Sequence, residues 1–175
     1  MEQLTFELSF AESVSLLALF VQIVLVFFAY KAIRKNEVMA KKRAVVDLIL
    51  KQREDPTLKR AFKVMYECRE KKGNLSDLIN KAGEESQKIR DDVLYALDQL
   101  EFIAVGIRLN AFDEDVYKDL QCSKIIKTWD SAAGFVMNLR QEKQTKTLYQ
   151  DLERLAARWS ANPIKELKKQ DYLDK

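Results

Sequence analysis

The chain has 175 residues, with 30 lysines and arginines against 27 aspartates and glutamates, a formal net charge of +3. That length suits one small domain plus an appendage, and so even a balance argues against the strongly basic face of a nucleic-acid binder. Histidine is absent, which removes the commonest general base, the usual member of hydrolytic triads and the commonest zinc ligand, while carboxylate chemistry stays open.

Only 4 glycines and 2 prolines interrupt the chain, and no short alternating runs stand between turn signals, so the sequence predicts an all-α fold. The expected architecture is one N-terminal transmembrane helix continuing into a cytoplasmic helical bundle of about four to five helices. In chain order, residues 1–10 read as a short extracytoplasmic N-terminus, 11–31 as the transmembrane helix and 32–54 as a basic juxtamembrane helix. Residues 55–162 read as the bundle and 163–175 as a polar tail.

Residues 13–30 carry no charge. A helix rises ~1.5 Å per residue, so about 20 residues cross a hydrocarbon core of ~30 Å, and Tyr30 falls where an interfacial aromatic belongs. Glu2, Glu7 and Glu12 precede the run, whereas Lys31, Arg34, Lys35, Lys41, Lys42 and Arg43 follow it, opposed only by Glu37. The positive-inside rule then sets the N-terminus outside and the remainder in the cytoplasm. An acidic start, a long apolar run and no small-x-small cleavage site distinguish it from a removable signal peptide. A soluble core helix keeps one polar face, and this run is apolar all round.

One stripe of the run differs. Ala11, Ser15, Ala18, Gln22, Leu25, Ala29, Ala32 and Asn36 alternate steps of four and three, and only Leu25 is large. Small residues let membrane helices approach, and an amide facing its copy makes an interhelical hydrogen bond of roughly 0.6 to 2 kcal/mol. The stripe therefore reads as a homo-oligomer seam; the plainer alternative is a lone glutamine tolerated in the span. The basic stretch after it reads first as a stop-transfer flank and second as a polybasic segment on anionic lipid.

No proline or glycine interrupts residues 30–53, where Val38, Val45, Leu48, Ile49 and Gln52 follow helical spacing. "REDPTLKRAF" is a helix start, with Asp55 as cap and Pro56 in the first position, and "REKKGN" is its end. "NLSDLINKAGEE" reads as a short helical turn and a loop broken at Gly83. Residues 84–109 form a long helix with Ile89, Val93, Leu94, Leu97, Leu100, Ile103, Ala104 and Ile107 as its stripe. Gly106 costs that helix roughly 1 kcal/mol relative to alanine and is expected to admit a close helix crossing. "NAFDEDVYKDL" predicts a short helix capped by Asp113 or Asn110. A separate helix is expected from Ser123, with Ile126, Trp129, Ala133, Val136, Met137 and Arg140 on one face. The last helix, in "TLYQDLERLAARWSAN", turns Leu148, Leu152, Leu155, Ala156 and Trp159 inward and stops at Pro163. Cys68 and Cys122 read as helix thiols without a disulfide.

Candidate chemistry is sparse. Glycine-rich phosphate loops are absent. Glu67 with Glu70, and Asp98 with Glu101, place acid pairs on helix faces at the spacing all-helical pyrophosphohydrolases use for Mg²⁺; with 27 acids in the chain, solvated faces are the plainer reading. Glu101 also borders the apolar stripe, where Arg108 or Arg140 is the expected partner. No catalytic residue, metal or cofactor is assigned, and the chain is not expected to be an enzyme.

Through "LEFIAVGI", the following "DED" and the ending "LAARW", roughly residues 30–160 resemble a bacterial family of unknown function. Its members are short helical proteins, many opening with one membrane span. The resemblance implies a bacterial cell-membrane setting and brings no activity. The expected function is a membrane-anchored interaction or scaffold module, self-associating in the lipid bilayer, with an unidentified protein partner and no nucleic acid. The alternatives are a membrane effector or small channel component of a stress or phage response, with Gln22 lining or gating, and, behind it, a metal-dependent hydrolase using Glu67, Glu70, Asp98 and Glu101.

Overall fold

A computed structural model describes residues 10–71, 73–79 and 83–164. Among the described residues the chain forms six helices and no strand: α1 (Phe10–Glu54), α2 (Pro56–Glu70), α3 (Leu75–Ile79), α4 (Glu84–Arg108), α5 (Glu114–Glu142) and α6 (Gln150–Ala161). The chain divides into two compact units, Met1–Ala40 and Lys41–Lys175. The first unit, within its described residues, is helix alone, the N-terminal part of α1. Of the polar tail, residues 165–175 lie outside the described residues.

The second unit is the bundle. Here α2 packs on α4 and α5, α6 packs on α4 and α5, and the short α3 bridges α4 and α5. The core between them is apolar: Leu58, Ala61 and Met65 from α2, Val93, Leu97, Leu100 and Ile103 from α4, and Ile125, Phe135, Val136 and Leu139 from α5. From α6 come Leu152, Leu155, Ala156 and Trp159. Of the predicted α1 positions in this unit, Val45, Ile49 and Gln52 are buried and Leu48 is half-buried.

The starts of α2 and α5 follow from their caps. Asp55 Oδ1 accepts the N–H groups of Thr57 (2.8 Å) and Leu58 (3.0 Å), and Pro56 occupies the first turn, where its missing N–H costs nothing. Asp113, rather than Asn110, caps α5 by accepting the Val116 N–H at 3.0 Å. Asn110 instead takes a left-handed conformation (φ 57°), which asparagine tolerates, and turns the chain out of α4.

Two expectations need correcting. The predicted break at Ser123 does not occur: α5 is one helix of 29 residues. Serine caps only where the chain leaves the helix, and Gln121, Cys122 and Ile125 are buried on either side of it, which keeps the backbone helical. Continuity also shifts the buried face to Tyr117, Gln121, Cys122, Ile125, Thr128, Ala132, Phe135, Val136 and Leu139. Ile126, Trp129 and Ala133 are half-buried, and Met137 is exposed. The second correction concerns Gly106. Its neighbour is the Phe112 ring, with which an added Cβ would overlap, not a crossing helix. Ala111 and Phe112 both donate back to the Gly106 carbonyl, at 2.8 and 3.3 Å, so the loop folds onto the helix that precedes it.

Asp55 supplies a test of the cap. The Leu58 N–H, above all, holds its carboxyl below the usual range; the Tyr95 hydroxyl, the Thr57 N–H and Arg60 act in the same sense, against the opposing effect of burial. A lowered carboxyl pKa stabilises the fold above the ordinary carboxylate range, and that contribution is lost as pH falls through the folded value. Asp55→Ala should cost about 1 kcal/mol at pH 7, read as thermal unfolding by circular dichroism in detergent, and Asp55→Asn clearly less. The Asp55→Ala deficit should shrink as pH falls below the ordinary carboxylate range and through the lowered folded value of wild-type Asp55.

Candidate functional site

The largest uncovered apolar surface belongs to the first unit. Among residues 13–30 only Val24 is half-buried within the chain; all the rest are exposed. Leu16, Leu17, Leu19, Phe20, Val21, Val26, Phe27 and Phe28 distribute large side chains around the helix. Within the interior of α1 the helix itself satisfies the backbone N–H and C=O groups, the one open-chain arrangement that tolerates hydrocarbon. By length and composition this helix is able to cross a membrane, and none of its apolar window is buried.

The predicted stripe lies along this surface. Ser15, Ala18, Gln22, Leu25, Ala29, Ala32 and Asn36 are all exposed, and the side chain of Ala11 lies outside the described residues. Helical geometry brings the small positions and Gln22 onto one side, where all the described members are exposed. Exposure alone makes the stripe a surface rather than a site.

The basic end is organised by aromatic rings. Lys31 Nζ stands 4.8 Å from the Phe27 ring centroid. The Arg34 guanidinium lies 5.5 Å from the Tyr30 ring centroid and donates through Nε to the Tyr30 hydroxyl at 3.0 Å. Arg34 also pairs with Glu37 at 3.7 Å, both side chains being largely solvated. Lys35 is exposed; in the second unit Lys42 and Arg43 are exposed and Lys41 is half-buried.

The candidate acids do not converge. Glu67 and Glu70 are exposed on α2, Glu67 lying 3.8 Å from Lys63. Asp98 accepts the Tyr149 hydroxyl at 2.8 Å. Among the described residues no three acidic or thiol side chains form a group able to hold a metal ion. The Arg partner expected for Glu101 is also not there. Its two oxygens accept main-chain N–H groups at the start of α6, from Asp151 (3.2 Å) and Leu152 (2.7 Å). Arg108 pairs instead with Asp151 at 3.0 Å, and Arg140 binds the Leu148 carbonyl and Glu153, each at 2.8 Å.

This cluster is a structural joint that spacing alone did not reveal. Tyr149 opens α6 in a left-handed conformation (φ 57°) and offers no side-chain cap. Glu101 supplies one from α4. Burial, and next the bond to Asp98, push the Tyr149 hydroxyl well above the ordinary phenol range, so it stays a donor. At the other end of α6, Glu114 Oε1 accepts the Trp159 indole N–H at 2.9 Å and pairs with Arg158 at 2.7 Å.

Fold and surface together define an all-helical protein with a compact bundle and one helix long and apolar enough to span a bilayer. The chain belongs to the family described as domain of unknown function DUF4760, whose model matches residues 13–159. The match begins well before the residues that carried the resemblance, and so takes in the apolar helix as well as the bundle. No curated protein and no solved structure matches the chain.

Removing the trans cap tests the joint. Glu101→Ala deletes two charge-assisted acceptors and should lower stability by about 2 kcal/mol, against about 1 kcal/mol for Glu101→Gln, in urea unfolding followed by tryptophan emission. Equal stability of Glu101→Ala and the wild type would show that water replaces the cap at no cost.

Proposed function

We propose that the protein is a single-pass membrane scaffold that self-associates through the Gln22 stripe. Residues 11–31 cross the bilayer, the N-terminus faces outward, and the bundle offers its surface to a protein partner in the cytoplasm. The observation that carries this reading is the uncharged, predominantly apolar and almost wholly exposed surface of residues 13–30, followed at once by cations. A surface of this size in water would drive aggregation; in lipid it is the solvated state. The family match supports the reading further, because a domain that includes this helix is not completed by removing it.

Association follows from the same surface. Lipid tails are as apolar as leucine, so bulk hydrophobicity gives membrane helices no reason to meet. Close approach at Ala18 and Ala29, and an amide pair at Gln22, would supply that reason. The test is the mass of the full chain in nanodiscs, wild type beside Gln22→Leu. A defined oligomer is expected for the wild type, and its dissociation constant should rise about 3- to 30-fold in Gln22→Leu, the equivalent of one interhelical hydrogen bond. A monomeric wild type would reduce the helix to a tether. A large ring in place of a dimer would favour the effector or channel reading.

A further inference from the structure

We propose that the groove between α2 and α5 binds a small phosphorylated molecule with a flat aromatic body, of about mononucleotide size. The groove lies wholly within the second unit and measures about 310 Å³, at the small end of ligand pockets. One wall is aromatic and apolar, formed by Phe62, Met65 and Tyr66 of α2. The facing wall carries Lys124 and Lys127 of α5, and Arg69 stands on the α2 side. Hydroxyls of Ser123, Thr128 and Ser131 also line it.

The charge in this groove is unbalanced. Lys124 Nζ sits 3.7 Å from the Phe62 ring centroid, half-buried. Among the described residues no carboxylate lies within ion-pair distance of Lys124 or Lys127, and Arg69 reaches Asp130 only at 4.0 Å, with side-chain exposures of 37% and 53%. The charge that Lys124 does feel is that of Arg53, of the same sign; burial chiefly, and then Arg53, lower its pKa. A half-buried ammonium facing a second cation is costly unless an anion completes it. A phosphate group, with several acceptor oxygens, answers two ammonium groups and a guanidinium at once.

The aromatic wall defines the rest of the ligand. Lys124 already occupies one face of Phe62. Tyr66 remains 54% exposed beside it, a large ring in water at the mouth of a groove. A flat π-system stacked on Tyr66 would bury both rings and set the phosphate towards the lysines, and such stacking is worth roughly 1 to 3 kcal/mol.

Calorimetry on the full chain in phosphatidylcholine nanodiscs tests the assignment, with AMP, adenosine, inorganic phosphate and soluble dihexanoyl phosphatidic acid as probes. AMP should bind with a dissociation constant below about 1 mM, at least tenfold tighter than phosphate or adenosine. Lys127→Gln, an exposed position that the fold does not need, should weaken AMP at least tenfold. Tyr66→Ala should weaken AMP and leave phosphate unchanged, and Lys124→Met should keep the packing on Phe62 while losing the anion. Phosphatidic acid binding more tightly than AMP would overturn the aromatic body in favour of a lipid headgroup. No binding by any probe, or binding indifferent to both lysine changes, would overturn the site.

Discussion

The first N–H groups of a helix need partners; at the start of α6 Gln150 finds the Thr147 carbonyl and Glu153 that of Tyr149, whereas Asp151 and Leu152 depend on another helix. Glu101 reaches across from α4 and takes two of them, so one carboxylate fixes where the last helix begins. The other placements depend on that joint. With Asp151 held by its main chain, its side chain meets Arg108; with Leu148 in position, Arg140 finds a carbonyl and Glu153 together. The far end is then closed by the Trp159 indole on Glu114, at the start of α5. A helix of 12 residues is too short to persist alone, and here it is held at both ends while Leu152, Leu155, Ala156 and Trp159 fill the core.

Much of the bundle was legible because its signals are local. Asp55 before Pro56, Asp113 before two acids, Gly83 at a break and Pro163 after a periodic run each act within one helical turn, and each sits where its neighbours imply. The failures share a different cause. Whether Ser123 caps depends on whether the chain has left the helix, and that is decided by burial of Gln121 and Ile125 against other elements. What Gly106 makes room for depends on a turn at Asn110 that returns Phe112 to it. Glu101 carries no mark in its own neighbourhood of a partner 50 residues away. Spacing identifies a face, but a partner on another element is set by packing.

The apolar helix is the opposite case. Its character is compositional, so the sequence and the structure describe it equally well, and the structure adds that, among the described residues, none of its apolar window is buried. The family match from residue 13 to 159 treats the apolar helix and the bundle as one evolutionary unit, which makes the pairing of the two chemistries a property of the domain and not of this chain alone.

The two cysteines carry a practical consequence. Cys122 is buried in α5, and the half-buried Cys68 thiol is raised, first by burial and then by Asp77. Thiols react as thiolates, so Cys68 is slow at neutral pH, while Cys122 is shielded from reagents by its burial. A single cysteine placed on the solvent side of the helices would outrun them. Spin labels, dyes or cross-linkers can therefore be attached to the otherwise unaltered chain, and distances within it measured without first stripping out the native sulfurs.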